Sequence, residues 1–125
     1  MKGRIMNEKK EKAGLLQACL GKGQNLSDLI GYAKDSIVSK IIIEKAAGTI
    51  TLFAFDKGQK LSEHTAPYDA VVHILEGKAL IRIDGKDNDV SSGEIIIMPS
   101  DVPHSVAAQE QFKMLLTMIR IKGEQ

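Results

Sequence analysis

The chain has 125 residues, 43% hydrophobic and 26% charged, with a formal net charge of +1. That is one globular domain rather than a disordered tail, with no global field to recruit nucleic acid or an anionic membrane. The charge is uneven: residues 1–12 carry a net +3 and the remainder −2, which reads as a solvated basic tail, without the interleaved aromatics of a nucleic-acid platform. Cys19 is the single cysteine, so no internal disulfide can form, and a reducing, cytoplasmic setting is expected. Leu16–Cys19 is faintly similar to a lipoprotein cleavage box, but Gly14 and Gln17 interrupt the short apolar run Ala13–Leu20, and Gln17 is a poor residue at its position. No stretch is long enough for a membrane helix.

Taken in order, residues 1–35 form an extension and 36–125 the main domain. Glu8 to Leu20 has helix-forming composition and is stopped by Gly21 and Gly23. Ser27 is placed to cap a second short turn from Asp28 to Tyr32. From Ser36 onward the pattern is that of strands. The predicted runs are 37–43, 49–55, 70–75, 79–83, 89–90, 94–98, 104–107 and 112–121. Glu76-Gly77-Lys78 is expected to turn between the third and fourth runs. Asp84-Gly85 is the strongest hairpin signal, because both positions tolerate the positive φ of a tight turn. Short strands without long crossovers imply an antiparallel, all-β sandwich or barrel.

Ile41-Ile42-Ile43 and Met114–Ile119 are apolar on both faces. One face fills a core, and the other must be covered by the N-terminal segment or a second subunit. The expectation favours a homodimer.

Two motifs resemble those of the cupin superfamily. Gly58 is followed after five residues by His64, and Gly77 closes the segment at the matching distance. In the second motif Gly93, Pro99 and His104 fit, while Asp101 and Ala108 stand where the family has Gly and Asn. The resemblance covers about residues 36–121 and implies a double-stranded β-helix (jelly-roll-like) barrel, often dimeric. It also implies a metal site built from two His and a Glu of the first motif and a His of the second. Here only His64 and His104 remain, because Ala66 takes the second His position and Ala70 (or Val71, by the longer spacing) the Glu position. Two imidazoles alone hold a divalent ion (Zn, Fe, Mn or Ni) weakly, since zinc and non-haem iron sites use at least three protein ligands.

Asp69 is the candidate third ligand, although strict alternation points it away from the face of position 70. His73 and Glu63 have the same odd parity. Tyr68 and Met98 are expected beside His64 and His104 in a small-molecule site at the barrel mouth. The leading reading is a small cupin that binds a small molecule, with a degenerate metal site. The alternatives are a metal-dependent cupin enzyme of dioxygenase, isomerase or decarboxylase type using His64, His104 and Asp69, and a metal-free acid–base enzyme using the two histidines. Cys19 reads as a helix-face residue.

Overall fold

The computed structural model describes residues 12–120. An α-helix, α1 (Lys12–Cys19), and a 3-10 turn (Leu26–Leu29) precede eight strands. These are β1 (Ile37–Lys45), β2 (Gly48–Phe55), β3 (Lys60–His64), β4 (Tyr68–Ile83), β5 (Lys86–Ser91), β6 (Ile95–Met98), β7 (His104–Ala107) and β8 (Phe112–Arg120). The portions of the expected helix before Lys12 and of the last run beyond Arg120 lie outside the described residues.

All strand pairings are antiparallel, in the order β1-β2-β8-β4-β7-β3, with β5 and β6 also paired to β4. The 16-residue β4 organises the fold. Its first half pairs with β8 and β6, and its second half with β5 and β7. Two curled sheets therefore share one bent strand and enclose the core between them.

The bend corrects a sequence expectation. Gly77 does not end a strand; it lets one strand pass from sheet to sheet. Its φ is +78°, and a Cβ there would collide with the Gln111 carbonyl and lie 2.9 Å from the Phe112 Cα. Glycine alone supplies that backbone without a clash. The register with β8 slips between Ile74 and Glu76. This bulge moves the buried set from even positions (Ala70, Val72, Ile74) to odd ones (Ala79, Ile81). Conversely, β3 was absent from the expected runs, because its sequence KLSEH is polar and mostly exposed. One strand gained and two merged leave the number near the expected one. The Asp84-Gly85 hairpin forms as expected, with φ of +51° and +81° and Ile83 paired to Lys86.

The interior between the sheets is filled by Phe55, Val72, Ile74, Ala79, Ile81, Val106, Phe112 and Met114 among others. Phe55 and Phe112 stack with centroids 4.5 Å apart. A second apolar cluster lies on the outer face. There Leu15 and Ile30 of the N-terminal segment pack on Ile42, Leu52 and Ala54. The N-terminal segment thus covers the outer side of β1 and β2. It is also held by polar contacts: Lys113 Nζ donates to the Ser27 carbonyl at 2.6 Å, and the Tyr32 hydroxyl donates to Glu76 at 2.6 Å. The cap of the 3-10 turn is Asn25, whose side chain accepts from the Ser27 N–H, not Ser27 itself. No described helix is long and apolar enough to cross a membrane.

Candidate functional site

β3 and β7 place the two motif histidines side by side. His64 ends β3, His104 begins β7, and the two are cross-strand partners. Their ring centroids are 4.4 Å apart with planes inclined at 67°, an edge-to-face contact. His104 is buried at 5% exposure, whereas His64 is exposed. Each ring is oriented by a local main-chain bond. His64 Nδ1 lies 2.7 Å from the Ser62 carbonyl, and His104 Nδ1 lies 3.0 Å from the Val102 carbonyl. A carbonyl can only accept, so each Nδ1 carries the proton and the neutral ring keeps its lone pair on Nε2. That tautomer suits an imidazole that accepts a hydrogen bond from a ligand or coordinates an ion.

The loop between β6 and β7 positions His104. The Asp101 N–H donates to the Ala66 carbonyl at 2.8 Å, and the Asp84 N–H donates to Pro103 at 2.8 Å. Asp101 has φ +63°. The residue standing where the family has glycine thus keeps the left-handed backbone that glycine favours.

Asp69 is exposed, next to buried Ala70, as strand alternation requires. Its carboxylate accepts from the Ser100 N–H at 2.9 Å. It is therefore occupied in holding the β6–β7 loop. Among the described residues no three His, Cys, Asp or Glu side chains gather in a group able to hold a metal ion. A three-ligand metal centre does not fit this donor set. Ala66 and Ala70 contribute only methyl groups. Met98 is buried in the core and paired with Ala70. His73 lies between Leu115 and Ile95 in register, on the opposite face of β4 from Ala70, and Glu63 is exposed.

Tyr68 opens β4 opposite Arg120. Its hydroxyl accepts from Arg120 Nη1 at 3.0 Å, and the guanidinium lies 4.9 Å from the ring centroid. The expected site included Tyr68 but neither Arg120 nor Thr49, which lines the same small cleft. Nothing in the local sequence marks those two, because the register of β2, β4 and β8 brings them together.

The comparisons with known proteins agree with this fold. A family model described as a cupin domain matches residues 51–120. A conserved protein of unknown function from Streptococcus pyogenes is 31% identical, with 98% of each chain covered and a TM-score of 0.78. A cupin 2 conserved barrel domain protein from Leptotrichia buccalis is 39% identical over 78% of this chain, with a TM-score of 0.75. The match spans 47% of that longer chain. A cupin superfamily protein from Desulfitobacterium hafniense is 24% identical with a TM-score of 0.77, covering 95% of this chain and all of that one. No curated protein sequence matches the chain.

Proposed function

Since the chain belongs to the cupin family, we propose that it binds a small polar molecule at the barrel mouth through His64 and His104, without a tightly held metal. The observation that carries this reading is the pair of touching imidazoles, each with Nδ1 tied to a carbonyl and Nε2 left as the acceptor nitrogen. The residues buried between the sheets below them are apolar, so this reading puts binding at the mouth. Tyr68 is the further ligand-binding residue of this reading, whereas Met98, expected beside it, is buried in the core. If an ion enters, His64 and His104 are its protein donors, and solvent must complete its shell. Two imidazoles without a carboxylate neither neutralise a divalent charge nor fix its geometry.

Elemental analysis of the purified protein tests the metal half of the proposal. The expected result is far less than one equivalent of Zn, Fe, Mn or Ni per chain after dialysis. Stoichiometric metal would overturn it. If that metal were lost on Asp69→Ala, the enzyme reading with Asp69 as third ligand would replace it.

The proposal includes a homodimer. Ile95, Ile97 and Ile119 are 60%, 52% and 53% exposed. They lie on the neighbouring strands β6 and β8 that flank β4. The N-terminal segment packs on β1 and β2 and, among the described residues, reaches β4 and β8 only at Leu75, Glu76, Lys113 and Leu115. An apolar patch on one sheet face favours a second subunit over water. Sedimentation velocity should give a dimer that Ile97→Lys dissociates. A monomer at all concentrations would remove this part.

A further inference from the structure

The outer faces of the two sheets differ in chemistry. Where the second half of β4 pairs with β5, the outward side chains include Lys78, Arg82, Asp87 and Asp89, all exposed. That face is solvated. On the other sheet, two cross-strand rows run over β6, β4 and β8. Ile97, Val71 and Thr117 form one row, and Ile95, His73 and Leu115 the next. They lie on the side of β4 opposite to buried Ala70, Val72 and Ile74. Neither row contains Asp, Glu, Lys or Arg. His73 is half-buried in the middle of this surface, and its ring forms no hydrogen bond or ion pair with a described residue.

A face of this kind needs an apolar cover. The parts of the chain outside the described residues match it poorly. Residues 1–11 hold four basic and two acidic side chains, and residues 121–125 are Ile-Lys-Gly-Glu-Gln. Either segment brings charge onto uncharged rows. The same face of a second copy brings rows of equal chemistry, as a two-fold interface requires. The face is about 14 Å wide over three strands and about 20 Å long from Asp69 to Leu75. That is smaller than a standard permanent interface, so association across it is weak enough for a change of charge to decide it.

The charged groups around His73 are engaged elsewhere. Asp69 shares its face but lies four residues, about 13 Å, away along β4, and accepts from the Ser100 N–H. Glu76 accepts from Tyr32 and lies 3.7 Å from Lys113 of β8, which also donates to Ser27. On the other side β6 carries no charge, and Glu94 before it accepts from the Ser91 N–H. Asp28, on the 3-10 turn that touches β4, is exposed.

We propose that His73 makes the association of two copies through this face sensitive to protonation: the pair forms with neutral imidazoles and separates when they are charged. This rests on the homodimer reading given above. Among Ile95, Leu115 and Val71 a neutral ring gains apolar contact, whereas an imidazolium loses its hydration without an acceptor to replace it. Two-fold symmetry doubles the effect, because each pair buries two imidazoles. Association is therefore fully present above the usual titration range of histidine and is lost as the pH falls through it.

The test is sedimentation velocity of the full chain in dilution series at about pH 8 and about pH 5.5, which span that range. The dimer Kd should be at least about tenfold weaker at the lower pH, with the circular dichroism spectrum of the folded chain unchanged. His73→Gln and His73→Leu stay neutral throughout and should dimerise equally at both pH values, the Leu variant at least as tightly as the parent. A parent dimer equally tight or tighter at the lower pH overturns the proposal and leaves the dimer reading standing. So does a pH dependence that persists in both variants, because other groups then cause it. A parent chain that is monomeric at both pH values overturns the proposal together with the dimer reading, and leaves the face to a different partner.

Discussion

The floor of the barrel and its mouth are made from the same strands and do different work. At the floor, β2, β4 and β8 contribute Phe55, Ile74 and Phe112, all without solvent exposure. At the mouth, the same three strands contribute Thr49, Tyr68 and Arg120, which are half-buried or exposed. Phe112 is on the register row of Gly77 and Phe55, and Arg120 is on the row of Tyr68, at the other end of β8. The difference teaches where each kind of free energy resides. Burial of apolar surface at one end fixes the backbone, so polar side chains at the other are held in place without packing of their own.

Substitutions graded from floor to mouth put this contrast at risk. Phe112→Ala should have the largest effect, about 3–5 kcal/mol in a urea unfolding curve, because it opens a cavity beneath Phe55 that the sheets cannot close. A loss below about 1 kcal/mol would show that the floor is not the source of stability.

An intermediate effect is expected at the polar staple of the N-terminal segment. Tyr32→Phe removes the bond to Glu76 and should cost about 1 kcal/mol. It should also change the pH dependence. Burial first, then the hydrogen bond to the Glu76 carboxylate and its charge, push the Tyr32 phenol above its usual range. The fold therefore favours the neutral phenol. Its contribution is fully present below about pH 10, where an unfolded tyrosine stays neutral. It is lost as the pH rises toward the folded value, because the unfolded phenol ionises first. Unfolding curves between pH 8 and 11 (an assay range of about three units) should steepen for the parent and flatten for Tyr32→Phe. Parallel curves would show that Tyr32 is not the group responsible.

The smallest effect belongs to the mouth. His64→Ala, at an exposed strand end, should move stability by no more than about 0.5 kcal/mol, while altering whatever the imidazole pair binds. A destabilisation as large as that of Phe112→Ala would erase the distinction between the two ends.

Much of this was legible in the sequence because it depends on local chemistry. The Asp84-Gly85 hairpin formed where a pair able to adopt positive φ stood between β-branched runs. His64 and His104 could be picked out because their spacing from Gly58, Gly93 and Pro99 resembles that of the two cupin motifs. The exposed Asp69 beside the buried Ala70 followed from alternation over two adjacent residues. Errors arose where a residue's meaning depended on distant backbone. Gly77 carries a turn-like conformation inside a continuous strand, a choice made by the Gln111–Phe112 backbone packed against it. KLSEH became a strand because β7 offered its edge, not because of its own pattern.

The amino-acid sequence by itself determined that the chain is an all-β cupin, that two of the four family ligand positions are histidine, and that the other two carry no donor side chain. Those facts reside in single residues and short periods. The tertiary structure decided that the N-terminal segment covers β1 and β2, that no third ligand joins the histidines among the described residues, and that Thr49, Tyr68 and Arg120 share a cleft. Each of these is a meeting of residues far apart in the chain. The register of β4, shifted by one bulge, sets which of them face each other.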